Sequence, residues 1–310
     1  MLQRKKSRFF MTIMLALLIV LIMLLIVSRT HLRSLAHAIS ATPQPPPTPT
    51  PISHYGYSMQ LFRGAGGQTL PYYLYIPVHY NPQQKYPLVL LLHGGGERGK
   101  TNNTAEQNMQ ILLHQQYMQV WSAAHAGPYN PDIQQRWPCF VVVPQLIGTQ
   151  QWVYANPHKG SYVQSPQPDT TLLLAKELVD ALQHEYSGID ANRLYITGLS
   201  LGGYGTWDAI ERWPNYFAAA APLSGAGDPS PEKVAVLTQL PIWAFHGSLD
   251  PRVPVAGSRD MIKAIRAAGG HPRYTEFAGA GHGIWGRVYD FDPTGRVSGF
   301  LPWLFAQRKA

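Results

Sequence analysis

The chain has 310 residues, 45% of them hydrophobic and 11% aromatic, with a formal charge of +8. That apolar content supports one sizeable core and excludes an intrinsically disordered chain. Six of the 25 Lys and Arg precede residue 52 and no acidic residue precedes Glu97, so the balance from residue 52 onward is only +2; with no RNA- or DNA-binding signature, a nucleic-acid partner is excluded.

Arg4, Lys5, Lys6 and Arg8 precede Phe9 to Val27, a run of 19 residues whose single polar member is Thr12. As a helix it would span about 28 Å, close to the hydrocarbon thickness of a bilayer. The apolar core of a cleavable signal is usually shorter, about 7–15 residues. Residues 1–38 are therefore expected to form an uncleaved membrane anchor with a cytoplasmic N-terminus. Cleavage after Ala38, at Ala36-His37-Ala38, is the alternative, and either reading puts the rest of the chain outside the cytoplasm. Residues 39–55, with Pro and Thr interleaved from Thr42 to Pro51, read as an extended spacer. One folded domain is expected over residues 56–310.

Within it, Tyr57 to Arg63 and Leu70 to Ile76 flank a Gly-rich turn and predict an antiparallel hairpin. Pro87 to Leu92 and Phe140 to Val143 are short, wholly apolar runs of the kind buried on both faces of a sheet. Between them, Ala105 to Ala124 predicts one helix, serving as a crossover or as a roof over a site. Asp169 caps a predicted helix through Tyr186. Further strands are predicted at Arg193–Thr197, Phe217–Ala221, Ile242–Phe245 and Tyr274–Phe277. Helices are predicted at Leu201–Arg212, Gly257–Ala268 and Leu301–Gln307. Strands alternating with helices imply a mainly parallel sheet covered on both faces, an α/β fold.

The chemistry starts at Gly198-Leu199-Ser200-Leu201-Gly202. This G-x-S-x-G pattern follows an apolar strand and precedes a helix, the context of a nucleophile elbow. A serine hydroxyl needs a base to take its proton, and the base needs an orienting acid. In this topology the chain order is Ser, acid, His. Asp250 follows the strand Ile242–Phe245 and His282 follows Tyr274–Phe277, both beyond the C-terminal ends of strands, where open α/β sheets place ligands. Asp228 is the chief rival acid, Asp260 a lesser one. His246 and His271 read as ordinary polar or packing residues. The oxyanion formed on attack needs two donors. Leu201 N–H is one candidate, and the other comes from His93-Gly94-Gly95-Gly96, with Gly95 ahead of Gly96. Trp152, Trp207 and Trp285 fit a pocket wall or the core equally well. Cys139 is the only cysteine, which excludes an intrachain disulfide and a cysteine-based zinc site; within its apolar run it reads as a buried structural thiol.

These blocks resemble the extracytoplasmic "predicted peptidase" or esterase branch of the α/β-hydrolases, near polyhydroxybutyrate depolymerase-like and feruloyl esterase-like proteins. The resemblance rests on Leu90 to Gly99 (LLLHGGGERG), Val143-Pro144-Gln145, Ile189 to Trp207, Trp243 to Pro254 and Tyr274 to Trp285. It implies an α/β-hydrolase fold, a Ser200–Asp250–His282 triad and no cofactor or metal. The implied substrate is an ester, free or attached to a polysaccharide or polyester. A serine peptidase of the prolyl-oligopeptidase type is the alternative activity, and a non-catalytic binding scaffold the third reading.

Overall fold

A computed structural model of the protein describes residues 55–122, 132–289 and 297–309. The expected anchor, residues 1–38, and all of the expected 39–55 spacer but Tyr55 lie outside the described residues, as do 123 and 124 at the end of the predicted helix. Among the described residues, no helix is long and apolar enough to cross a membrane.

Eight strands form one sheet in the order β1-β2-β4-β3-β5-β6-β7-β8. They are β1 (Tyr57–Arg63), β2 (Thr69–Tyr75), β3 (Tyr86–Leu92), β4 (Phe140–Pro144), β5 (Ile189–Leu199), β6 (Ala219–Leu223), β7 (Trp243–Gly247) and β8 (Arg273–Phe277). β1 pairs antiparallel with β2, β2 antiparallel with β4, and every later pairing is parallel. All residues of β3 and β4 are buried, as expected of strands covered on both faces. The main helices are α1 (Ala105–Leu113), α2 (Thr170–Glu185), α3 (Leu201–Arg212), α4 (Ala256–Ala267) and α5 (Phe300–Ala306).

Leu172, Ala175, Leu178, Val179 and Leu182 of α2 join the apolar layer on one face of the sheet with Leu88, Leu90 and Ile196. The layer on the other face takes in Val89, Leu91, Val141 and Tyr195 with Leu301, Leu304 and Phe305 of α5. Alternate residues of β3 thus serve opposite layers, the period-2 geometry of a strand. Cys139 is buried and its thiol is pushed up to about 12 by that burial, with the Gln134 side chain opposing the shift.

The predicted helix from Ala105 to Ala124 is two pieces. α1 stops at Leu113, and after an extended Gln115 a separate turn covers Gln116–Gln119. Leu112, Leu113, Tyr117, Met118, Val120 and Trp121 are all buried. On one continuous helix they would spread over about 240° of the circumference, too wide for one face. The break lets both halves bury. β6 also runs later than predicted, through Pro222, which has no N–H to donate. The β6–β7 ladder is accordingly thin, with Leu223 opposite Phe245 and a bridge between Ala220 and Ile242.

Candidate active site

Ser200 stands between the last residue of β5 and the first of α3, with φ +56° and ψ −118°. A positive φ is strained for any residue with a Cβ and persists only where the surroundings enforce it. Here Ser200 N–H donates to Leu223 O at 2.9 Å, and Ser200 O accepts from Tyr204 N–H at 3.1 Å. The flanking glycines are required by space. A Cβ on Gly202 would sit 1.9 Å from Leu92 O, and one on Gly198 2.4 Å from Gly202 O. Those neighbours are backbone and cannot move aside, so the turn closes only with glycine at both positions.

The loops after β7 and β8 are laced together. Ser248 N–H donates to Phe277 O at 3.0 Å, Leu249 N–H to Ala280 O at 2.9 Å, and Gly279 N–H to Ser248 Oγ at 2.8 Å. This lacing brings Asp250 and His282 together at the elbow. His282 Nδ1 lies 2.7 Å from Asp250 Oδ2, and its Nε2 lies 2.9 Å from Ser200 Oγ. A carboxylate only accepts, so Nδ1 carries the hydrogen and Nε2 faces the hydroxyl with its lone pair. Ser224 Oγ donates to His282 O at 3.1 Å and steadies that backbone.

Burial alone would raise the pKa of Asp250. Hydrogen bonds from His246 and His282, then from Val253 N–H and Arg252 N–H, outweigh it and hold the carboxyl well below the ordinary carboxylate range. Its Oδ1 accepts from Arg252 N–H at 2.8 Å and Val253 N–H at 3.0 Å.

The other acids named from sequence are engaged elsewhere. Asp228 is buried and accepts from Gln164 N–H at 2.7 Å and Ser230 N–H at 3.0 Å. Asp260 accepts from Ser161 Oγ at 3.2 Å. His271 is exposed at the opposite end of β8, just before the strand begins.

Gly95 opens a short 3-10 turn, Gly95–Glu97, and Leu201 opens α3. The N–H of a first helical residue has no acceptor within its own helix, and both residues line the cleft beside Ser200. The glycine loop is fixed from behind. His93 Nε2 accepts from Leu146 N–H at 3.0 Å, so its Nδ1–H donates to Gly94 O at 2.6 Å. Burial lowers the pKa of this imidazole to about 4, against the effect of that Gly94 bond, and keeps it neutral. Trp152 Nε1–H donates to His93 O at 3.0 Å, and Gln145 Nε2–H to Glu97 O at 3.0 Å. Of the three tryptophans, Trp152 and Trp207 are fully buried, while Trp285 packs edge-on against the His282 ring.

The cleft encloses about 660 Å³, and Arg98, Gln151, His158 and Arg252 join its wall. None of the four carries a chemical signal of its own in the sequence: Arg98 and Arg252 fall inside longer motif blocks, and Gln151 and His158 lie in the segment between β4 and α2. Among the described residues, no group of three or more His, Cys, Asp or Glu is arranged to hold a metal ion.

Residues 140–290 match the Dienelactone hydrolase family. A solved thermostable esterase superposes with a TM-score of 0.64 at 36% identity, covering 82% of this chain and 63% of its own. A feruloyl esterase module from Clostridium thermocellum, solved with sinapinate, shares the fold at 19% identity and a TM-score of 0.52, covering 86% of this chain and 93% of its own. The bifunctional acetylxylan esterase/xylanase XynS20E of Neocallimastix patriciarum is 35% identical over 74 residues, 24% of this chain and 11% of that protein. The chain thus spans a small part of that curated relative and under two thirds of the thermostable esterase. The chain has the fold of an α/β-hydrolase, and the stretch that matches the dienelactone hydrolase family runs from β4 to beyond His282.

Proposed function

We propose that the protein hydrolyses carboxylic esters through an acyl-enzyme on Ser200, with His282 as base and acid and Asp250 orienting the imidazole. One observation carries this reading: Asp250 Oδ2, His282 and Ser200 Oγ form an unbroken chain of contacts at 2.7 and 2.9 Å. Ser200 Oγ attacks the acyl carbon as its proton passes to His282 Nε2. The oxyanion accepts hydrogen bonds from Leu201 and Gly95 N–H, each worth about 10²–10³ in turnover. His282 then protonates the leaving alkoxide and the alcohol departs. Water, deprotonated by the same nitrogen, attacks the acyl carbon, and the carboxylic acid and free Ser200 are released.

The cleft volume falls in the range of small-molecule sites, which supports acyl groups from acetyl to a cinnamoyl type such as ferulate. The acetylxylan and feruloyl esterase relatives support the same substrate classes, carried on a polysaccharide. The N-terminal sequence supports a membrane-anchored position outside the cytoplasm, or secretion if the chain is cleaved after Ala38.

The test is a substrate panel on the detergent-solubilised full chain: p-nitrophenyl acetate, p-nitrophenyl butyrate and methyl ferulate against peptide anilides. Ester turnover at least about 10²-fold above anilide turnover is expected, since an amide nitrogen is the poorer leaving group. Anilide cleavage without ester cleavage would make the protein a peptidase. Inert protein on every substrate would leave a binding scaffold.

A further inference from the structure

Asp250 Oδ2 meets two imidazoles. Besides His282, it faces His246, whose Nε2 lies 3.2 Å away. His246 is the penultimate residue of β7, and its side chain is fully buried. Its neighbours Ala244 and Phe245 are apolar core residues. A buried imidazole is costly unless its ring nitrogens find partners.

Both do. Nδ1 lies 2.8 Å from Ser258 Oγ on α4, and that hydroxyl lies 2.9 Å from Gly225 O. Nε2 lies 3.1 Å from Val253 O and 3.2 Å from Asp250 Oδ2. Neither of those oxygens carries a hydrogen, so Nε2 must carry one and share it between them. The ring therefore ties the carboxylate, the loop that follows it and α4 to one point.

Resting on the triad reading above, the geometry points to His246 as a positioning residue that holds the Asp250 carboxylate in the plane His282 needs. Oδ1 is anchored by two backbone N–H groups. Among the described residues Oδ2 meets His282 and His246, and in the proposed reaction His282 takes up and gives away a proton in every cycle. His246 is the partner of Oδ2 that takes no part in that exchange. It holds the acceptor still while the imidazole changes charge.

The test uses the full chain and a fluorophosphonate probe. Labelling forms an Oγ–P bond on Ser200, breaks the P–F bond, releases fluoride and passes the hydroxyl proton to His282. It therefore reads the triad without knowledge of the natural substrate. His246→Leu is expected to slow labelling, and kcat on p-nitrophenyl acetate, by about 10–100-fold, the cost typical of an orienting partner. KM should stay near the wild-type value. His246→Gln places an N–H near the position of Nε2 and is expected to recover most of the rate. His246→Asn reaches Ser258 but falls short of Asp250, and should stay slow. This pair decides the matter even if the leucine variant fails to fold.

Equal labelling rates for the glutamine and asparagine variants would overturn the positioning role, as would a leucine variant labelled as fast as wild type. A wild-type protein that is not labelled at Ser200 would overturn the triad itself, and the positioning role with it. The wild-type control separates the two failures.

Discussion

Ser200→Ala is expected to lower kcat on p-nitrophenyl acetate by about 10⁶, or about 8 kcal/mol of transition-state stabilisation. The change removes Oγ and leaves Cβ, so the elbow keeps its backbone, its bond to Leu223 O and its glycine packing. The thermal midpoint should therefore move little, and the lost turnover cannot be put down to unfolding. A residual rate of about 10³–10⁴ over water would remain from the oxyanion donors and binding. Steady-state kinetics on the purified variant, beside a melting curve, checks both halves. Undiminished turnover would remove Ser200 from the reaction.

Asp250→Asn is the next largest expected effect, about 10⁴ in kcat, the size seen when a triad acid loses its charge but keeps its shape. An asparagine can still accept from Arg252 and Val253 N–H through its oxygen. Its NH₂ would then face His282 Nδ1, which must turn acceptor. The hydrogen moves to Nε2, pointing at Ser200 Oγ, and the base is gone. Asp228→Asn makes the contrast. Its partners are Gln164 and Ser230 N–H rather than any histidine, so kcat should stay within a few-fold. Its stability should fall by about 1–3 kcal/mol for the disturbed buried bonds.

The Asp250 variant also carries a pH signature. The folded pKa is depressed below the unfolded value of about 3.9, so this group contributes stability above that pH. The contribution is lost as the pH falls toward the folded pKa. The gap in melting temperature between wild type and Asp250→Asn should therefore narrow as the pH is taken below about 4.

Much of this architecture is legible in the sequence, because β3 and β4 are apolar runs that only a two-sided sheet can bury, and because G-x-S-x-G follows directly on a strand. α3 is read to its exact ends, Leu201 and Arg212, since the elbow starts it and Trp213-Pro214 stops it. Legibility fails where tertiary packing overrides local pattern. The segment after Ala105 looks like one helix until its apolar residues are found to need two directions. β5 begins at Ile189 rather than Arg193, because Asp190 and Asn192 flank a small Ala191 in an opening with no apolar alternation to announce a strand.

The site divides the same way. Chain order and strand ends point to Ser200, Asp250 and His282, and the geometry places Ser200 and Asp250 each within hydrogen-bonding distance of His282. Asp228 follows a strand as well, and the lacing between the β7 and β8 loops, which carries Asp250 and not Asp228 to His282, sets the two apart. His246 carries no sequence signal beyond being a polar residue at the end of a buried strand. Its neighbour across the loop, four residues on, is visible only once Val253 and Ser258 fold back around it. His93 and Gln145 sit inside the motif blocks, yet the bracing of the glycine loop depends on Gln145, Leu146 N–H and Trp152 arriving from beyond the end of β4.

Covalent labelling decides whether Ser200 is a nucleophile activated by His282. The full chain is treated with a fluorophosphonate, digested and mapped by mass spectrometry, with Ser200→Ala and His282→Ala alongside. One phosphonyl group per chain is expected, located on the peptide carrying Ser200, absent from Ser200→Ala and greatly slowed in His282→Ala. A label on any other residue, or equal labelling of all three proteins, would contradict it.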